Sequence, residues 1–311
     1  LNESENNYIA SVYEHEEGMA VAFCDLSTGE MSATLTDAKG LAAELSRFGP
    51  KELVLCRDAL KNASVRAFLD SGSSCLVENV DESRFDYPSA LDIVNEQVGS
   101  GMDLSKAPRA VISACGGLLD YLHETQKSHL EHISFINIYS GEQFMQLDFN
   151  ARRNLELTET MRGREKKGSL LWVLDETVTS AGGRLIKKWL EKPLVSLGGI
   201  NKRQMAVQEL KDDYMLREDL RGALKETFDI ERIISRTVFG SAGGRDLRSL
   251  ASVCALLPGI KNTLSRAKSR RLTELCAGID CLEDIYDLIS ASIVDEPPFS
   301  VREGGIIRAG F

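Results

Sequence analysis

One stretch decides the fold of this chain: residues 147–194, LDFNARRNLELTETMRGREKKGSLLWVLDETVTSAGGRLIKKWLEKPL. It predicts two helices on either side of a charged turn. Asp148 or Asn150 is expected to cap the first helix, because a short side-chain oxygen can accept hydrogen bonds from the unpaired N–H groups at a helix start. Pro193 is expected to end the second helix, since its ring cannot continue the hydrogen-bond ladder.

The second of these helices is predicted to be amphipathic. Its apolar side chains fall on one face and its cations on the other. The apolar face holds Leu185, Ile186, Trp189 and Leu190, and the basic face holds Arg184, Lys187 and Lys188. Trp172 and Trp189 each lie within an apolar stripe, so we expect both indoles to be buried anchors of the core rather than platforms for nucleic-acid bases.

The turn between the helices, residues 162–167, is basic and contains Gly163, with Gly168 directly after it. Its cations are Arg162, Arg164, Lys166 and Lys167. Together with the basic helix face they are candidate contacts for nucleic-acid phosphates. The alternative is a solvated surface with local ion pairs to Glu165 and Glu191.

The stretch closely resembles the start of the core (lever) domain of the MutS DNA mismatch-repair family, and its bacterial branch most of all. The resemblance covers effectively the whole chain. The matching core pieces are RRNLELTET (152–160), KKGSLLWVLDETVTSAGGRLIKKWLEKPL (166–194) and INKRQMAVQEL (200–210). DLSTGE (25–30) resembles part of the family's connector domain, and GLLDYLHETQ (117–126) resembles its first core helix.

The resemblance implies an α/β, RNase-H-like connector domain over residues 1–105 and a mainly α-helical core/lever domain over residues 106–311, truncated before the clamp. Residues 170–190, with Trp172, Leu185, Trp189 and Leu190 among them, would then be elements that transmit movement and not catalytic groups. In the whole protein the core would couple an ATPase that uses ATP and magnesium to the grip on mismatched DNA, and the connector would help to recruit MutL. The family further implies a homodimer in the cytoplasm, associated with the nucleoid.

Two motifs that the family's active protein needs do not occur in this sequence. There is no Phe-x-Glu, which the family inserts at a mismatch, and no G-x-x-x-x-G-K-[ST]. The nearest approach to the second motif is residues 163–169, where Ser169 stands in place of the phosphate-binding lysine. We therefore expect a segment that is not an enzyme, with no cofactor of its own.

Charge divides the chain into unlike parts. Residues 1–107 carry 8 Lys and Arg against 19 Asp and Glu, a net charge of −11, within a total of −10. Because DNA affinity comes largely from neutralising phosphates, the first part is expected to meet protein surfaces such as that of MutL, with Glu14, Glu16 and Glu17 as candidate contacts. Seven scattered cysteines indicate reduced thiols rather than a disulfide framework.

Residues 8–35 alternate at period 2 and predict three antiparallel strands, with a turn at residues 27–29. A helix–strand–helix–strand order follows, which is typical of an RNase-H-like fold. The predicted segments are helices 38–48 and 58–70 and strands 52–56 and 75–78. Residues 81–107 are expected to be a joint without a long helix. The helices predicted after it are 109–126, 200–211, 214–227, 230–238, 245–257, 258–267 and 281–294, with residues 132–147 extended and residues 266–271 a basic loop.

Two further interpretations, a nuclease site and a zinc site, are alternatives to the function that the family resemblance implies. Asp25 could hold a metal for a nuclease on the RNase-H-like domain, or it could simply hydrogen-bond a hairpin turn. His123, His129 and His132 could bind zinc, although their spacing favours surface histidines. A third possibility is a free-standing nucleic-acid-binding module that uses the basic faces of the core.

Overall fold

A six-stranded mixed sheet organises the first half of the chain. The computed structural model of the protein describes residues 7–70, 75–99, 102–126, 130–140, 144, 145, 147 and 149–311. The strands are β1 (Tyr8–His15), β2 (Gly18–Asp25), β3 (Glu30–Thr36), β4 (Glu52–Leu55), β5 (Leu76–Asn79) and β6 (Ile136–Ile138), in the order β5-β4-β1-β2-β3-β6. The pairs β1–β2 and β2–β3 are antiparallel, and the other three pairs are parallel. The three antiparallel strands and the α/β order predicted for the first half are confirmed.

Helix α1 (Ala38–Phe48) shows how local sequence signals set an element. The Asp37 carboxylate accepts a hydrogen bond from the Gly40 N–H at 2.7 Å, and Gly49 closes the helix with a φ of 54°. A carboxylate cap and a left-handed glycine are the expected start and stop of a helix. Leu41 and Leu45 of α1 are fully buried in the core cluster that also contains Phe23 of β2.

Helix α4 (Arg109–Gln126) lies against the sheet rather than opening the helical half of the chain. Its first two turns are almost entirely buried, and Ser11 Oγ of β1 donates a hydrogen bond to the Ala114 carbonyl at 2.7 Å. A Cβ on Gly117 would lie 2.6 Å from the Phe85 ring, so glycine permits this close packing. The boundary expected near residue 105 therefore does not coincide with the packing of the helices.

The expected joint at residues 81–107 contains a helix, α3 (Tyr87–Val98), which packs on α4. Pro88 lies in its first turn, where the missing N–H would be unpaired in any case. Proline thus starts this helix, whereas the prediction took it as a sign of a linker.

The helix expected over residues 58–70 is wrong at its start, because Asn62 is extended and its side chain accepts a hydrogen bond from the Ser64 N–H at 2.9 Å. The result is a short 3₁₀ turn followed by α2 (Ala63–Asp70).

Residues 147–194 form three helices rather than two. They are α5 (Phe149–Asn154), α6 (Leu170–Leu174) and α7 (Ser180–Glu191). Asp148, one of the two expected caps of the first helix, lies outside the described residues. The chain forms two compact units, and α7 contributes to both: Leu1–Asp175 with Ile186–Pro193 forms the first unit, and Glu176–Leu185 with Leu194–Phe311 forms the second.

The second unit is helical, as the mainly α-helical core predicted. Its further helices are α8 (Leu197–Asp212), α9 (Tyr214–Lys225), α10 (Ile230–Val238), α11 (Gly244–Leu264), α12 (Arg270–Gly278) and α13 (Glu283–Ser292). One core cluster joins α8, α9, α11 and α12 through Ala206, Leu216, Leu264 and Leu272. A second cluster joins α11 to α13 through Ala251 and Ile289.

One prediction for this unit was wrong, and another was right only in part. Pro258 lies inside α11 and does not end it, because burial of Ile260 and Leu264 holds the last turns in place despite the lost hydrogen bond. The expected basic loop at residues 266–271 does join α11 to α12, but it ends at Ser269, and Arg270 and Arg271 already belong to α12. The Glu209 carboxylate of α8 accepts from the N–H groups of Lys268 at 2.6 Å and Ser269 at 2.7 Å, and so supplies the start of that helix from a distant position in the sequence.

Candidate functional site

The basic turn is an ordered structure. The Thr160 N–H donates to the Glu165 carbonyl at 2.9 Å, and the Arg164 N–H donates back to the Thr160 carbonyl at 3.0 Å. Arg164 has a φ of 51°, an uncommon conformation for a residue with a side chain. The backbone therefore fixes the turn and presents its side chains outward.

Three of the four cations in this turn face solvent without an acidic partner among the described residues. Lys166 pairs with Asp175 at 2.5 Å, whereas Arg162, Arg164 and Lys167 are exposed and form no such ion pair with a described residue. These three side chains are the part of the predicted phosphate-binding set that is free to meet an anion.

Arg184 cannot serve as the predicted phosphate contact. Its side chain is 6% exposed and donates two hydrogen bonds to Asp229, of 2.6 Å from Nη1 and 3.0 Å from Nη2. It also pairs with Glu231. These hydrogen bonds hold the pKa of Arg184 above its ordinary value, and a planar guanidinium is suited to such a bidentate pair. The side chain thus ties α7 to the start of α10.

Of the other two cations on the expected basic face, Lys188 alone has an acidic partner among the described residues. Lys188 pairs with Glu30 of β3. Lys187 is half-buried, and its charge acts on Glu191, whose pKa is nevertheless raised because the carboxylate is buried. Two of the three cations on the polar face of α7, Arg184 and Lys188, are therefore held by protein contacts. The periodicity that located this face could not show which residues contact it.

The expected burial of the apolar face is wrong in the described structure. Trp172 is 51% exposed, Leu185 48% and Trp189 37%, while Leu190 is half-buried. In α6 only Leu171 is buried. The apolar stripe of a helix predicts burial only if another element covers that stripe. The core anchors of the first unit lie instead in the sheet and in α1 and α4.

Asp25 holds a hairpin turn. Its carboxylate accepts from the Ser27 N–H at 2.9 Å and from the Ser27 hydroxyl at 2.7 Å, and it is fully buried. Its carbonyl accepts from the N–H of Gly29, which has a φ of 73°. This geometry matches the turn interpretation of DLSTGE and does not favour the nuclease.

The histidines do not come together as a metal site. His123 is exposed, His132 is half-buried beside the turn of Asp25, and His129 lies outside the described residues. Within the described part of the chain, no group of three His, Cys, Asp or Glu side chains is arranged to hold a metal ion. No described helix is both long enough and apolar enough to cross a membrane.

Residues 163–169 do not fit a nucleotide phosphate. The Ser169 N–H and hydroxyl both donate to the Lys166 carbonyl, at 3.1 and 2.7 Å, so they close the turn on itself. The described residues on either side form the short helices α5 and α6 rather than a buried strand. A phosphate cradle needs outward N–H groups, a lysine and a preceding strand.

An acidic edge of the sheet is the feature that sequence reasoning found only in part. Strands β1, β4 and β5 are parallel, so their carboxyl ends lie along one edge. Exposed acids collect there: Glu14, Glu16, Glu17, Asp58, Asp81 and Glu82. Asp81 and Glu82 line a cleft of about 440 Å³ with Arg57. Only the hairpin acids were predicted, because the others are brought to the edge by strand pairing, which charge along the sequence does not show.

Comparison with known proteins agrees with this geometry. The family model of MutS domain II matches residues 7–134, and that of MutS domain III matches residues 150–309, more than half of the chain. The chain belongs to the MutS family. The domain II match takes in α4, in keeping with the packing of that helix on the sheet.

Full-length relatives extend the MutS similarity to the whole chain. The DNA mismatch repair protein MutS of Ruminiclostridium cellulolyticum is 40% identical over 316 residues, which is 100% of this chain and 36% of the relative. The proteins of the same name from Acetivibrio thermocellus and Clostridium tetani are 38% and 39% identical, again over the whole chain and about a third of their own length. The chain thus spans about a third of the curated relatives it matches.

Proposed function

We propose that this chain is the connector and core of a MutS mismatch-recognition ATPase and couples nucleotide state to the grip on DNA. The observation that carries the proposal is the succession of two MutS domains along a chain that is similar throughout to DNA mismatch repair proteins. Stiff helices suit this role, because small shifts at one end of a packed helix become discrete movements at the other.

Residues 170–190 are proposed as the transmitting part. The polar side of α7 is fixed by Arg184 to α10, while Leu185, Trp189 and, in α6, Trp172 expose apolar surface. Large exposed apolar side chains mark surfaces that meet another protein element. A movement of the protein element that contacts the apolar side of α7 can therefore be transmitted along this helix.

The coupling role is tested in a full-length MutS protein that contains this segment. Leu185→Ala with Trp189→Ala should leave ATP hydrolysis and mismatch binding in place but slow the ATP-driven release from a mismatched duplex. Tyr214→Ala, which removes another exposed aromatic ring from α9, is the matched control. Release at the normal rate in the α7 variant would sink the proposal.

We propose no catalytic role for the segment itself, and ATP with magnesium would bind elsewhere in the parent protein. The self-closed turn at residues 163–169 supports this. Calorimetry of the 311-residue chain with ATP and magnesium should give no heat of binding. A micromolar site would contradict the proposal. The parent is proposed to be a homodimer that acts in the cytoplasm on nucleoid DNA, as the family resemblance implies.

MutL is the proposed partner of the acidic edge. A surface of one sign of charge speeds association with a partner of opposite sign and repels phosphate. In biolayer interferometry at near-physiological salt, the chain should bind MutL more readily than a mismatched duplex. Glu14→Lys with Glu16→Lys and Glu82→Lys should slow MutL association, whereas Glu96→Lys on α3 should change it far less. Tight mismatch-selective binding without a MutL signal would refute this assignment.

The basic turn is proposed as a weak contact for DNA phosphate. Arg162, Arg164 and Lys167 are exposed and ordered by the backbone of the turn. Each phosphate neutralised adds about 0.9 to the slope of log affinity against log salt, so replacing all three by alanine should lower that slope by up to about 3. Lys225→Ala, at an exposed position at the end of α9 outside the candidate phosphate contacts, is the control. An unchanged slope in the triple variant would remove the turn from the DNA contacts.

A further inference from the structure

Lys192, which directly follows α7, is a buried ammonium within a cage of aromatic rings. The residue is 6% exposed. Its Nζ lies 3.4 Å from the ring centre of Tyr139, 4.6 Å from that of Phe144 and 5.6 Å from that of Phe48. Among the described residues it forms no ion pair with a carboxylate, so the faces of the aromatic rings are what hold the cation.

A hydrogen-bonded group of side chains supports the cage from behind. Tyr139 Oη donates to Glu44 of α1 at 2.6 Å, and Arg47 of α1 pairs with Glu44 and donates to Tyr139 Oη at 2.6 Å. The tyrosine ring is thereby fixed as a wall of the cage. Arg152 of α5 donates to the Glu191 carbonyl at 2.9 Å, which brings a further cation to the end of α7.

Burial disfavours the protonated form of Lys192, whereas the faces of the aromatic rings favour it. Burial, and next the charge of Arg47, lower the pKa of Lys192 to about 7. A buried charge without a carboxylate is costly compared with the same charge in water. A lysine that leaves the cage regains its hydration, whereas a leucine or methionine leaving the same place would expose apolar surface and regain nothing.

We propose that Lys192 is a positioning residue that acts as a releasable latch between the end of α7 and the sheet-bearing part of the first unit. In the closed state the cage holds the last turn of α7 against Tyr139 and α1. In the open state the ammonium is in water, and the last turn of α7 is free to move. The use of this latch in nucleotide-driven movement rests on the coupling function proposed above.

The latch is tested first in the 311-residue chain. Lys192→Met keeps the length of the side chain and removes the charge, so it should raise the melting temperature by about 2–4 °C and slow hydrogen exchange over residues 186–192. Lys192→Ala should speed exchange there, because it removes both the stem and the ammonium from the cage. Lys39→Met, at an exposed position on α1, should change neither quantity.

A rigid anchor would behave differently. If Lys192→Met lowered the melting temperature and sped exchange as Lys192→Ala does, the ammonium would be a fixed structural contact and the latch would be refuted. Equal exchange in all the variants would refute it as well.

The use of the latch is tested in a full-length MutS protein with this segment. Lys192→Met should slow ATP-driven release from a mismatched duplex although it stabilises the fold, a combination that a purely structural role would not give. Normal release, together with the expected melting and exchange data, would leave the latch in place and contradict its part in the proposed coupling. If Lys192→Met neither raised the melting temperature nor slowed hydrogen exchange, the latch itself would be contradicted.

Discussion

At the scale of single residues, Gly117 shows how closely the first unit is packed. A Cβ at this position of α4 would lie 2.6 Å from two atoms of the Phe85 ring, and Phe85 is fully buried. Gly117→Ala is expected to destabilise the protein by about 1–3 kcal/mol, the usual cost of overpacking a core. Gly222→Ala in α9 has open space around its Cβ and should instead stabilise by about 0.4–1 kcal/mol. Urea unfolding of both variants measures this, and shifts of the same sign would contradict it.

The charge of Lys192 predicts a pH dependence of stability. Its pKa is lowered to about 7 by burial, so above that pH the unfolded chain binds a proton that the folded chain has released. The free energy of unfolding should therefore rise with pH between about 7 and the ordinary lysine pKa of about 10.4. Below pH 7 the lysine is protonated in both states, so this group gives the stability no pH dependence there. The charged and titratable groups around it are Glu30, Glu44, Arg47, Tyr139, Arg152, Lys188 and Glu191.

Comparison with Lys192→Met isolates that contribution. The other groups are the same in both proteins, so the difference in unfolding free energy between the two should shrink as pH rises through the window. A difference that is constant from pH 6 to pH 10 would show that the ammonium keeps its charge in the cage throughout.

At the scale of elements, α7 is held by contacts that are unequal in strength. Arg184 binds Asp229 in a mostly buried, bidentate pair. Arg184→Met leaves that carboxylate with only the more distant guanidinium of Arg232, at 3.9 Å, and should cost up to about 3–5 kcal/mol. Arg184→Met with Asp229→Asn should recover much of the loss. Arg236→Met, which breaks the more exposed pair with Asp246 in the same unit, should cost about 1 kcal/mol or less. Equal losses for the two arginines, measured by denaturant unfolding, would count against this ranking.

Elements defined by local signals could be predicted from the sequence, and elements defined by distant contacts could not. The cap at Asp37 and the glycine at Gly49 set both ends of α1, and those bounds were predicted. The start of α12 depends on Glu209, about 60 residues away, so its sequence looked like a basic loop. For α7 the two faces were predicted, but Arg184 was assigned to phosphate because its partner Asp229 is distant in sequence.

At the scale of the whole molecule, each unit has a hydrophobic core of its own. The core of the first unit lies in the sheet with α1, and that of the second joins α8, α9, α11 and α12. Separate cores predict separable unfolding. Leu45→Ala should lower the temperature of one calorimetric transition, and Leu216→Ala that of the other. Each change removes a fully or almost fully buried leucine and should cost about 2–5 kcal/mol. A single transition that both variants lower equally would contradict two independent cores.

The packing of α4 has a consequence for the order in which the nascent chain can fold. Strands β1 to β5 have all been synthesised by Asn79, but the helix whose Ala114 carbonyl receives the Ser11 hydroxyl, and the strand β6 that pairs with β3, follow much later. Contacts between segments so far apart are slow to form, since a long loop must close before they are made. On the ribosome, one face and one edge of the sheet therefore remain uncovered until the polypeptide has emerged past Ile138. During that time they are accessible to chaperones and to neighbouring chains.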